Sequence, residues 1–156
     1  MEKFVVSRSL AEKLRDAGFP QNTTYLWAHY INTNPRFPSP SPFVIENDGL
    51  DNCGAEEWRA LDFCAPMTDE LLEQLPDLIG RHHWLRFTPY KQTTGTYLAE
   101  WMRFTGDKGV FYDGSLGLAV HGDTPANTLA EMWLLLRDRG YALPCGINQS
   151  KTSEAA

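Results

Sequence analysis

The sequence predicts an α+β domain, a small antiparallel sheet with helices packed on one face. Three observations carry this. Capped amphipathic stretches open and close the chain, a third lies in its middle, and short β-branched and aromatic runs fall between them. The two central runs, in HWLRFTPYKQTTGTYLAEWMRF (residues 83–104), are joined around KQTTG in the manner of a hairpin.

Taken in order, SLAEKLRDAG reads as the first helix. Ser9 and Glu12 have capping-box spacing, Leu10, Leu14 and Ala17 share a face, and Gly18 stops it. Phe19-Pro20 turns the chain into a strand over 24–30, TYLWAHY. Residues 31–57 form a long loop in which Pro35, Pro38, Pro40 and Pro42 exclude helix and central strand, with room for a short strand at FVIE. Connections of this length are either plain surface insertions or binding lids. The second helix is expected to cap at Thr68, with Leu71, Leu72 and Leu75 as its stripe and Pro76 at its end. After the hairpin, GVFYDGSLGLAV offers one or two short strands divided at Asp113-Gly114. The last helix has Thr124 as cap, Pro125 at its first position and Gly140 as stop; Leu129, Met132, Trp133 and Leu136 repeat at helical spacing, which places Trp133 in the core. One domain over 1–147 and a polar tail over 148–156 are expected.

Composition narrows the functional classes. At 156 residues the chain is long enough to bury a core without metals or disulfides. A net charge of −6, with scattered basic residues, argues against a protein that coats nucleic acid. No apolar run is long enough to span a membrane, and MEKFVVSRSLAEKL carries charges where a secretion signal needs an apolar stretch. Cys53, Cys64 and Cys145 lack paired spacing, which suits a reducing compartment. The expected location is the cytoplasm.

The hairpin carries the main functional question. In its first strand Leu85 and Phe87 oppose Trp84, Arg86, Thr88 and Tyr90. In its second, Leu98, Met102 and Phe104, with Glu100 among them, oppose Tyr97, Ala99, Trp101 and Arg103. Grouped by chemistry, these sets give one aliphatic face for the helices and one face of rings and guanidinium groups left to solvent. Trp84, Tyr90, Tyr97 and Trp101 would stack on a planar ligand, while Arg86, Lys91 and Arg103 would pair with phosphate. Thr93 and Thr94 add hydroxyls at the tip, beside Gly95. The competing reading is an ordinary sheet, whose cross-strand aromatic pairs serve stability alone.

Other constellations are weaker. Adjacent His82 and His83 point to opposite faces of a strand, and Cys53, Cys64 and His29 lack zinc-ligand spacing, so no metal or cofactor is expected. Cys64 with His82 as base would make a thiol enzyme, but a Cys between Phe63 and Ala65 reads as a small buried hydrophobe. No catalytic residue is assigned.

The blocks SLAEKLRDAGFPQNTTYLW, APMTDELLEQLP and NTLAEMWLLLRDRG, 45 of 156 residues, resemble a set of small, mostly uncharacterised accessory proteins of tailed-phage and prophage genomes. The resemblance lies in scaffold positions and implies phage origin and action by binding. Such proteins block a host enzyme or sequester a signalling nucleotide of antiviral defence. Two binding readings follow: a small anionic, nucleotide-like ligand on the hairpin, with a homodimer completing the site, or a host protein held by the 31–57 loop. The third is the Cys64-dependent enzyme.

Overall fold

In the computed structural model, the residues described are 4–30, 41–47, 59–79, 83–90, 96–104, 110–112 and 116–144. They form helices α1 (Arg8–Asp16), α2 (Thr68–Glu73) and α3 (Pro125–Asp138). The strands are β1 (Tyr25–Tyr30), β2 (Phe43–Glu46), β3 (Arg59–Cys64), β4 (His83–Pro89), β5 (Tyr97–Phe104), β6 (Val110–Tyr112) and β7 (Ala119–Gly122). The α+β class holds, and the strands divide between two antiparallel sheets. One has the order β2-β1-β3; in the other β5 is central, with β4 on one side and β6 and β7 sharing the opposite side. FVIE is β2, paired with β1. β3 was not foreseen, and β6 and β7 both pair with β5 instead of with each other.

Helix α3 is the organising element. It packs against β5, β7, α1 and α2, while α1 also meets β3, so α1 and α3 link the two sheets. Its start matches the sequence signals: Thr124 Oγ1 accepts the Asn127 N–H at 3.1 Å, Pro125 needs no acceptor, and Gly140 leaves the helix with φ +75°. Trp133 is buried, with Phe19 edge-on at 5.2 Å between ring centroids. The core runs from Val5 and Val6 through Leu14, Leu71, Trp101 and Leu118 to Leu129, Met132 and Leu136.

Buried Asn127 ties this helix to the start of the chain. Its Oδ1 accepts the Ser7 N–H at 2.8 Å and its side-chain amide donates to Asp123 at 2.8 Å. Ser7 therefore precedes α1 with no side-chain cap, and Ser9, expected as the cap, lies inside the helix. Val6 continues the tether. Its N–H donates to the Pro66 carbonyl at 3.0 Å, and its carbonyl accepts the Trp27 indole N–H at 3.0 Å.

The cap of α2 also differs from expectation. Met67 occupies it, and Glu70 supplies the missing acceptor, taking the Met67 N–H at 2.8 Å on one oxygen and the Thr24 N–H on the other. Thr68 is already helical. Leu71 and Leu75 are buried four residues apart, whereas Leu72, a full 100° round the helix from Leu71, is exposed.

α3 approaches β7 too closely for any side chain at Gly122. A Cβ there would collide with the Thr128 hydroxyl and lie 2.9 Å from the Thr128 backbone N and Cα. Gly122→Ala is expected to cost about 1–3 kcal/mol, since backbone cannot move aside as a flexible side chain would. Calorimetry should show a fall of several degrees, at about 2–4 °C per kcal/mol for a chain of this size. An unchanged melting temperature would mean the helix does not sit so close.

Candidate functional site

The register of β4 and β5 decides which hairpin side chains share a face. Trp84 lies opposite Met102, Leu85 opposite Trp101, Arg86 opposite Glu100, Phe87 opposite Ala99 and Thr88 opposite Leu98. Directly paired residues project to the same side of an antiparallel sheet. Trp101 and Tyr97 therefore stand with Leu85 and Phe87, and Arg86 stands with Leu98, Glu100 and Met102. The single face of rings and guanidinium groups expected from composition is split across both sides of the sheet.

The side bearing Trp101 is the core side. Trp101 and Ala99 are fully buried, and Leu85, Phe87 and Val120 pack against the main cluster. The Trp101 indole N–H is buried with no hydrogen-bond acceptor among the described residues. Its backbone N–H donates to the Leu118 carbonyl at 3.0 Å, extending the β5–β7 ladder. Tyr97 is half-buried and stacks on Phe87, with centroids 5.9 Å apart and planes 15° apart. Arg103 belongs to this side by register, opposite His83, and is exposed at the strand end. Trp101 and Tyr97 thus serve packing. Lys91, Thr93 and Thr94 lie outside the described residues, as do Cys53, His82 and the Pro-rich 31–40 stretch.

The opposite side holds the more informative group. Arg86 reaches Glu100 at 3.5 Å; the Glu100 side chain is 9% exposed and that of Arg86 55%. A carboxylate buried in mid-sheet needs a counter-charge, and Arg86 supplies it through one contact while its guanidinium stays half in solvent. Trp84, 41% exposed, stands two residues before Arg86 on the same side, about 6.6 Å along the strand. At the far end the Tyr90 ring meets the exposed His121 edge-on, with centroids 4.7 Å apart. β7 brings His121 opposite Leu98 and Ala119 opposite Glu100. Three of the residues expected in the site, Trp84, Arg86 and Tyr90, are therefore kept together, and Glu100 and His121 join them. Both newcomers left a trace in the chain: Glu100 interrupts an apolar strand face, and His121 sits in the short AVHG run.

Cys64 lies elsewhere, in β3 opposite Leu26. It is wholly buried, and burial above all pushes its thiol up to about 12, although the Gln21 side chain opposes the shift. Such a thiol is protonated at neutral pH and offers no thiolate for catalysis. Among the described residues no three His, Cys, Asp or Glu are grouped to hold a metal ion, and no helix is long and apolar enough to cross a membrane.

Compared with protein-family models, curated proteins and solved structures, the chain matches none.

Two outcomes follow from these environments. Arg86→Ala leaves Glu100 buried without its counter-charge and should cost about 1 kcal/mol, kept modest because half the guanidinium is in water. Adding Glu100→Gln should recover most of that loss in a double-mutant cycle by urea unfolding; additive losses would mean the pair is not coupled. For Cys64, the folded thiol titrates above the unfolded one, so its contribution is complete below about pH 9 and is lost as pH rises towards about 12. Wild type should lose stability relative to Cys64→Ala above pH 9, approaching about 1.4 kcal/mol per pH unit. Parallel curves would show that the thiol is not held protonated.

Proposed function

We propose that the chain is a non-catalytic binding module that sequesters a small anionic, nucleotide-like ligand on the Trp84–Arg86–Tyr90–His121 side of its second sheet. The carrying observation is Arg86, oriented by buried Glu100 while its guanidinium stays half exposed. A guanidinium so fixed loses little freedom on taking up phosphate oxygens. Trp84, 41% exposed and next along the strand, has a ring of the kind that stacks on a base. The spacing between them is one that the base and phosphate of a single nucleotide can bridge. Sequestration without turnover agrees with the protonated Cys64 thiol and with the resemblance to small phage accessory proteins, some of which trap signalling nucleotides of host defence. Tyr97 and Trp101, on the core side, have no place in this site.

The test combines native mass spectrometry of protein purified from cells with thermal shift against linear and cyclic nucleotides. A co-purifying nucleotide mass, or a rise of several degrees with one nucleotide, is the expected result. Trp84→Ala removes an exposed ring without touching the Arg86–Glu100 pair. It should weaken binding about 5- to 150-fold, the loss of one stacked base. An unliganded mass and no shift with any nucleotide would refute the proposal.

A further inference from the structure

A cleft lies where the C-terminal ends of α1 and α3 meet. About 220 Å³ in volume, it is walled by Pro20, Tyr141, Leu143 and Pro144, with Trp133 and Arg137 on the α3 side. The Arg137 guanidinium lies 5.8 Å from the Trp133 ring centroid and over Gly18, where even a Cβ would come within 3.7 Å of both terminal nitrogens. It is exposed, and no carboxylate among the described residues pairs with it. By contrast Arg15, on neighbouring α1, is engaged by Asp16 and Glu12.

We propose that this cleft binds a small aromatic carboxylate, its ring against Tyr141 and the prolines and its carboxylate on Arg137. Three features of the cleft select this class. A cavity of about 150 Å³ already accommodates benzene, so 220 Å³ holds one ring with a short acid arm. The walls are flat and apolar, suiting a ring's faces better than a flexible polar chain. The guanidinium, held between an indole and a glycine backbone, presents a planar fork that matches a carboxylate in bidentate fashion. The last-turn position of Arg137 also favours the negative end of α3, but that role alone needs neither the cleft nor the ring beneath the guanidinium. The inference is independent of the nucleotide proposal and concerns a different part of the molecule.

Phenylacetate and indole-3-acetate, with the neutral phenylacetamide as control, should be titrated into the full chain by calorimetry and by amide NMR. The acids are expected to bind with a Kd of about 0.1–1 mM, as suits ligands of this size. They should shift the Gly18 and Tyr141 amides and leave that of His121 in place. Phenylacetamide should bind at least tenfold more weakly than phenylacetate. Arg137→Gln and, separately, Tyr141→Ala should each weaken acid binding at least tenfold, with Arg137→Lys retaining part of it. Equal affinity for acid and amide, shifts confined to residues away from the cleft, or no binding by either acid at 10-fold the upper Kd would overturn the proposal.

Discussion

The close approach of α3 to β7, at Gly122 and Thr128, is the constraint on which the rest of the structure depends. Once the helix lies against that strand, one side of the β4–β5–β7 sheet is committed to the core. Trp101, the largest fully buried side chain among the described residues, must point that way. Because a strand alternates with a period of two, Glu100 and Met102 must then point the other way. The buried carboxylate and its arginine follow from that choice as much as the aromatic core does.

The same helix draws the start of the chain into the fold. Asn127 takes the Ser7 N–H just before α1, and Val6 fastens the residues ahead of it to Pro66 and Trp27. These bonds lie largely out of solvent, where an unmade hydrogen bond costs more than a made one gains. They therefore act on uniqueness: the segment before α1 has one place in which its polar groups are satisfied. The C-terminal end of α3 contributes differently, through Trp133 and Arg137, which face a cleft shaped by residues on both sides of the helix end.

Much of the fold was legible because its signals are local. Thr124-Pro125 and Gly140 mark α3 through the backbone chemistry of helix ends, and TYLWAHY is a strand by side-chain shape alone. The caps of α1 and α2 lie at Ser7 and Met67, ahead of Ser9 and Thr68: Asn127 holds the Ser7 N–H from across the fold, and Glu70 takes the Met67 N–H from within its own helix. The site was only half legible. Alternation within β4 and within β5 is legible in the chain, but joining the two strands' faces requires their register, and slipping by one residue exchanges every side chain between faces. Grouping by chemistry placed Trp101 beside Trp84; pairing by hydrogen bonds places Trp101 beside Leu85. His121 arrives from β7, some twenty residues after β5's midpoint, and nothing local announces that this strand lies next to Leu98.

β5 turns Trp101 into the core and sets Trp84 and Arg86, with Glu100 and Met102, on the opposite side of the sheet, the side proposed to take a ligand. The most direct measurement is fluorine NMR of protein labelled with fluorotryptophan, with a soluble paramagnetic agent and assignment by single Trp→Phe variants. The account predicts strong broadening of the Trp84 resonance and little broadening of Trp101, Trp27 or Trp133. Broadening of Trp101 equal to that of Trp84 would contradict it, because both rings would then share an open face.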